Sequence, residues 1–320
     1  MLQRRTLIAA AALALAAGSA LAQPWPAKPV TMIIPFPPGG TLDVVGRLLA
    51  QKLGEQLGQT FVVENRAGGA GTIGSVAVTK AQPDGYTLLF NASTFTTTPM
   101  TLKTAPYDVV KDFSPIALVA KAPLAVALNN NVPVSDVKGL LGYAKANPGK
   151  LTFAIGSTAS AGHLSTELLK RAGGIDYVIV PYKGSSPAYQ DLVGGTIDGF
   201  IDPILGSAAF AKAGKLKVIA VTSKSRLPNM PEVPTVGETV PGYEFYSWYG
   251  LWGPAGLPKE IATRLNTEVG KALASAEMRD KLVPQGLLLT PGSIEDFQKF
   301  QREDMAHSAR IIAEGKIRAE

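Results

Sequence analysis

The chain reads as an α/β protein, and three observations carry that reading. Short apolar runs of strand type alternate with stretches of helical periodicity. Glycine- and serine-rich turns follow several of the strands and open helices. The chain has 320 residues, of which 46% are hydrophobic, which is enough for a large core and for two lobes. Strands that alternate with helices imply a parallel sheet.

Taken in order, "VTMII" (30–34) is a strand. A helix follows, with apolar residues at Val44, Val45, Leu48, Leu49, Leu53 and Leu57 and with Arg47, Lys52 and Glu55 on its other face. "FVVEN" (61–65) precedes a helix that begins near Thr72. "YTLLF" (86–90) follows the turn "PDG". "LAVAL" (124–128), "LTFAI" (151–155), "YVIVP" (177–181), "GFI" (199–201) and "KVIAV" (217–221) continue the strand series. In "SDVKGLLGYAKA", Ser135 is placed to cap a helix. The stretch 224–243 holds four prolines and reads as a surface connection. Beyond it, "PKEIATRLNTEVGKALA" and "SIEDFQKFQREDMAHSARIIAEG" are helical. No internal repeat is evident.

The first residues speak to location. Arg4 and Arg5 precede an apolar run from Leu7 to about Ala17, and Ala20-Leu21-Ala22 closes it. This is the pattern of a secretory signal peptide cut before Gln23, and the apolar run is too short to span a bilayer. The paired arginines weakly resemble a twin-arginine signal, so the export route stays open. The expected mature chain, 23–320, keeps 29 basic residues against 25 acidic ones, a net charge of +4. That is a mild bias toward anionic small molecules, with no dense basic stripe to suggest nucleic acid. There are no cysteines, so thiolate catalysis and cysteine-ligated metals are excluded. His163 and His307 are the only histidines, and neither belongs to a metal-binding motif.

"GAGTIG" (69–74) matches a dinucleotide fingerprint between a strand and a helix. The acid that should end the next strand is missing, since that strand runs into Asn91-Ala92-Ser93. The glycines then read as a tight turn with close packing. No P-loop and no nucleophile elbow occurs after the signal. Ser160 and His163 could be a nucleophile and base, but a helix N-cap with a first-turn residue is the simpler account, and no third group orients them.

Three stretches share one design, polar or glycine-rich residues between a strand and a helix. They are "PFPPGGTLD" (35–43), "GSTASAGHLS" (156–165) and "YKGSSPAYQDL" (182–192). A helix N-terminus offers free N–H groups and the positive end of the macrodipole, so each can hold an anion without a charged side chain. Pro37 and Pro38 stiffen the first loop, and usable N–H groups are expected from Gly39 onward. Three such loops favour a solute receptor.

These and other segments resemble the Bug family, the extracytoplasmic solute receptors of tripartite tricarboxylate transporters. The resemblance rests on "PAKPVTMIIPFPPGGTLDVVGRLLAQKL", "VVENRAGGAGTIGSVAVTKAQPDGYTLLF", "VPYKGSSPAYQDLVGGTIDGFIDP" and "LKVIAVTSKSRLPNMPEVPTVGETVPGYEFYSWYGLWGPAGLP", in the family's order and over essentially the whole mature chain. It implies a type II periplasmic binding protein, with two α/β lobes, two crossing strands and a cleft between them. After the signal peptide (1–22), lobe one would be 23–122 plus 226–320 and lobe two 123–225. The crossings would lie near 117–128 and 220–226. The implied ligand is a small carboxylate. The implied partners are the integral membrane subunits of such a transporter, or a sensor kinase, for a monomeric receptor with no cofactor or catalytic residue.

Carried over residue by residue, the site in the first lobe would hold Phe36, Gly39, Gly40, Thr41 and Asp43, with Ser93 and Thr94. The second lobe would supply Ser157, Ser160, Lys183, Gly184, Ser185 and Asp202. The departure lies at Ser157 and Ala159, where the family often carries a glycine pair. A Cβ at both restricts positive φ, so the Ser157 hydroxyl is the expected substitute for backbone contact. Asp43 reads either as a first-turn acid favourable to its helix or as a partner for a cationic group or water. Asp202 reads an ammonium or hydroxyl, or caps a helix. Lys183 pairs with a second carboxylate or is solvated. Trp248 and Tyr249 read as core aromatics.

Overall fold

The computed structural model describes residues 25–318, so the signal segment 1–22 lies outside the described residues. Strands β1 (Val30–Ile34), β2 (Phe61–Asn65) and β3 (Thr87–Ala92) pair in parallel in the order β2-β1-β3. Four of the five β1 residues are buried, as a strand covered on both faces requires. Helix α1 (Thr41–Leu57) returns across the sheet with Val45, Leu48, Leu49 and Leu53 inward. Val44, read as part of that apolar stripe, instead lies 43% exposed. Helix α2 (Thr72–Thr79) connects β2 to β3.

The glycine-rich segment before α2 is a tight turn, with positive φ at Gly68, Gly69, Ala70 and Gly71. A Cβ on Gly74 would stand 2.7 Å from Pro35 Cβ and 2.9 Å from the Arg66 carbonyl oxygen. Close packing of the helix on the sheet explains this glycine without a nucleotide.

Helix α3 (Thr94–Thr101) follows β3 directly. The 16-residue strand β4 (Phe113–Leu128) then runs through both halves of the sheet. Its first part pairs antiparallel with β9 (Tyr246–Pro254), and Leu124–Leu128 pair antiparallel with β7 (Gly199–Pro203). In the second half, β5 (Thr152–Ile155) lies parallel to β7 and to β6 (Val178–Pro181). The order across the whole sheet is β2-β1-β3-β9-β4-β7-β5-β6, while β8 (Lys217–Val221) and β10 (Leu288–Leu289) pair with the free edge of β4.

Helices α4 (Val137–Ala146), α5 (Ala161–Gly173), α6 (Ser185–Gly194) and α7 (Ile204–Lys212) belong to the second half. Helices α8 (Lys259–Ala274), α9 (Ala276–Leu282) and α10 (Ile294–Gly315) complete the chain. None of the described helices is long and apolar enough to cross a membrane.

Three local expectations change. Asp136, not Ser135, caps α4, because its side chain accepts from the Gly139 N–H at 2.6 Å. The proline-rich stretch 224–243 is irregular but is not merely superficial, since Leu227, Val233, Val236, Val240 and Tyr243 are all buried. Val236, Val240, Tyr243 and Phe245, with Ile311 and Ile312 of α10, pack into the core of the second half. The strap and the last helix therefore tie the two halves together, whereas the sequence reading groups them with the first.

Candidate functional site

The C-terminal ends of the strands face one another across the junction of the halves, where open α/β sheets bind ligands. A cavity of about 90 Å³ lies there. Four helices begin on its wall. Gly40, Thr41 and Leu42 open α1, Ala92 and Thr94 flank the start of α3, Gly184 and Ser185 open α6, and Pro203 precedes α7. None of these four helix starts has a side-chain cap, so first-turn N–H groups are left for other acceptors, apart from that of Thr96 in α3, which donates to the Ser93 carbonyl at 3.0 Å. The positive ends of the four helices converge on the same small space.

Asp43 frames the first loop. Its Oδ2 accepts from the Gly39 N–H at 3.1 Å and from Arg47 Nε at 3.0 Å, while Oδ1 accepts from Asn65 Nδ2 at 2.9 Å. Asn65 Nδ2 also donates to the Phe36 carbonyl at 3.0 Å, and Arg47 Nη2 donates to Asn65 Oδ1 at 2.7 Å. Burial pushes the Asp43 carboxyl up, but the hydrogen bonds from Arg47, Asn65 and Gly39 outweigh it and hold it below the usual aspartate value. The Gly39 N–H is thus spent on Asp43, so the N–H groups offered to a ligand begin one residue later than the sequence reading placed them.

Asp202 lies across the cavity at the end of β7, opposite Ala125 of β4. Its Oδ1 accepts from Ser185 Oγ at 3.0 Å. Burial dominates here and raises the carboxyl to about 7, against the opposing hydrogen bond from Ser185 and the nearby Tyr189 hydroxyl. The hydroxyls of Thr41 and Tyr249 also line the space, and both are buried without a hydrogen-bond partner. Among the described residues, no lysine, arginine or histidine lines this cavity.

Of the residues named from sequence, the cavity brings together Phe36, Gly40, Thr41, Asp43, Thr94, Ser157, Gly184, Ser185 and Asp202. Gly39 is exposed and does not line the cavity. Ser93 is buried at the start of α3, with its hydroxyl unpartnered. Ser160 caps α5, accepting from the His163 N–H at 3.2 Å, and lines neither this cavity nor its neighbour. Lys183 belongs to the neighbouring cavity of about 500 Å³, which shares Phe36, Pro37, Gly156, Ser157 and Gly184 with the first. The turn 67–71 forms the far wall of that outer space.

The sequence reading missed Ser186, Ser247 and Tyr249 as cavity residues. The alternation of strand β9 was the available signal, since Ser247 and Tyr249 point the same way from one strand. Trp248, between them, is buried in an aromatic core cluster with Phe95, Trp252 and Phe297.

The second loop resolves its substitution by strain. Ala159 adopts φ 61°, the left-handed conformation that its Cβ disfavours. Two hydrogen bonds hold it there: its N–H donates to His163 Nδ1 at 3.1 Å, and Thr97 Oγ1 donates to its carbonyl at 2.6 Å. With Nδ1 accepting and burial pushing the imidazole down to about 4, His163 is neutral near pH 7. The Ser160 hydroxyl contacts the His163 backbone rather than its ring, and this is not a nucleophile–base pair.

The two sides of the cleft meet at their rims. A Cβ on Gly184, at φ 113°, would stand 3.3 Å from Pro37 Cδ. Together with the Thr97–Ala159 bond, this contact brings the first and second halves together over the inner cavity.

A two-half α/β molecule, closed over a small polar cavity at its strand ends, is a solute receptor of the periplasmic binding protein type. The comparisons specify the family. Residues 45–317 match the tripartite tricarboxylate transporter family receptor, and the chain belongs to that family. A solved Rhodopseudomonas palustris protein, Rpa4515 with adipate, is 36% identical, with a TM-score of 0.90 over 92% of this chain and 99% of that one. The periplasmic binding protein BugD is 33% identical, with a TM-score of 0.87 over 92% and 100%. MatC of the same Rhodopseudomonas species, solved with bound malate, is 30% identical, with a TM-score of 0.84 over 90% and 100%. The family is one of solute-binding receptors, a non-enzymatic kind of protein.

Proposed function

We propose that this chain works in the periplasm as a receptor that captures a small carboxylate in the inner cavity and delivers it to the membrane subunits of a tripartite tricarboxylate transporter. The observation that carries the reading is the convergence of four uncapped helix starts and two unpartnered hydroxyls on a space without a basic side chain. Such a site stabilises one compact anion through oriented dipoles. The adipate and malate of the two solved relatives support a carboxylate as that anion.

In this reading the N–H groups of Gly40, Thr41 and Ser185 and the Thr41 and Tyr249 hydroxyls hold the carboxylate. The outer cavity takes the rest of the ligand, with Lys183 at its wall for a second charge. The halves move as lobes about β4 and the return from β8, closing when the rims meet over bound ligand. Lobe two is read as 123–225, joined by the strap and the end of α10.

Calorimetry of the mature chain against aliphatic mono- and dicarboxylates tests the assignment. Binding of at least one carboxylate is the expected result, with Lys183→Met weakening dicarboxylates more than monocarboxylates. A complete absence of binding across the series overturns the reading.

A further inference from the structure

The inner cavity presents a conflict of charge. It is built to attract a carboxylate, yet a carboxyl of its own, Asp202, stands in its wall only 6% exposed. Two carboxylates confined in one small space cannot both stay ionised cheaply, and a proton shared between them removes the repulsion.

The surroundings of Asp202 supply no cation to do this instead. Ser185 and Tyr189 approach it from α6, Tyr249 from β9, and Ala125 lies opposite on β4. From α5, His163 and Glu167 face each other at 3.9 Å. Asp43, on the opposite wall, is already committed to Gly39, Arg47 and Asn65. A ligand ammonium could also relieve the conflict. A proton needs no volume of its own in a cavity of about 90 Å³, so it is the better fit.

We propose that ligand capture takes up one proton, held between the Asp202 carboxyl and the ligand carboxylate, so that the receptor collects a carboxylate and H⁺ together. This rests on the carboxylate reading above. The proton comes from solvent and no covalent bond changes. Ser185 orients the Asp202 carboxyl through Oδ1. The raised proton affinity of Asp202, already near 7 without ligand, is consistent with this and rises further when a second carboxylate enters.

The test is calorimetry of the mature protein with C3–C8 dicarboxylates, including adipate and malate, in buffers of different ionisation enthalpy from pH 5.5 to 8.5. Proton uptake per ligand should rise from near zero at pH 5.5 toward one at pH 8.5. Affinity should fall by up to about tenfold per pH unit above pH 7. Asp202→Asn, whose amide donates at any pH, should bind with no proton uptake and a flat pH profile.

A ligand that binds with no proton uptake and unchanged affinity over this range overturns the proposal. So does persistent uptake in Asp202→Asn, or tighter binding of aspartate than of succinate at pH 8.5, which would assign Asp202 to an ammonium. Failure of the whole series to bind defeats the carboxylate reading itself and this proposal with it. The wild-type proton count decides the matter even where the variant fails to fold.

Discussion

Asp43 and Asp202 stand on opposite walls of one cavity, and their surroundings drive them in opposite directions. Asp43 is 4% exposed but accepts three hydrogen bonds, one from a guanidinium, and stays ionised. Asp202 is 6% exposed, has no cationic partner and holds its proton up to about 7. Both side chains are little exposed, but Asp202 lies deeper and burial prevails there, whereas the donors around Asp43 outweigh its burial. The first wall is thereby a rigid frame, and the second is a group whose charge remains adjustable.

Removing the Asp202 charge should give the largest effect. In the folded state its carboxyl stays protonated up to about pH 7, while in the unfolded chain it ionises near 3.8. The native state then binds the extra proton between those values, so stability falls as pH rises from about 4 through 7 and levels off above. Asp202→Asn should therefore melt like the wild type at pH 4 and be more stable at pH 8, by up to about 4 kcal/mol. Equal melting of the two proteins at pH 8 would remove the contrast with Asp43.

Asp43→Asn should behave in the opposite sense. The native carboxyl lies below its ordinary value, so its contribution is present above about pH 4 and lost as the pH falls through the lowered native value. At pH 7 the variant should lose about 2 kcal/mol, because a charge-assisted network is weakened while Arg47 stays half in solvent. That deficit should shrink in acid, as chemical denaturation at pH 7 and pH 3 would measure. A constant deficit would mean that shape rather than charge secures the loop.

The rims allow a finer comparison. Gly184→Ala places a Cβ against Pro37 on a backbone at φ 113°. It should destabilise the protein by about 1–2 kcal/mol and weaken carboxylate binding roughly tenfold, since the walls cannot close to the same distance. Unchanged affinity in calorimetry would show that closure does not bring these rims together. The smallest effect belongs to Ala159→Gly. Relief of the left-handed strain at φ 61° should raise stability by up to about 1 kcal/mol, visible as a modest rise in melting temperature.

The strands of the two parallel units were legible because their apolar runs are short, dense and bounded by turn residues. The long edge-to-edge partners were not. Strand β9 carries "YSWYGLWGP", in which Ser247, Gly250 and Gly253 interrupt the apolar pattern, and its role depends on pairing with β3 and β4 far away in sequence. Helix α3 escaped notice because "TFTTTPMT" has no helical stripe. It forms where Thr96 and Thr97 hydroxyls satisfy the Ser93 carbonyl and aromatic neighbours cover Phe95. Asp136 displaced Ser135 as a cap by one residue, a distinction that local chemistry leaves degenerate.

The site divides in the same way. The sequence by itself determined the loops that join strand to helix at the cavity, because proline, glycine and serine there fix the backbone locally, and local rules suffice to read them. It also determined the family, through long segments in order. The tertiary structure alone decided which N–H groups are free, which carboxyl is ionised, and that Tyr249 offers its hydroxyl to the cavity. Those properties depend on Arg47 meeting Asn65, on β9 crossing between β3 and β4, and on Gly184 meeting Pro37, contacts between residues remote in the chain. Charge and hydrogen bonding at a buried site are set by neighbours in space, and only the packed fold supplies them.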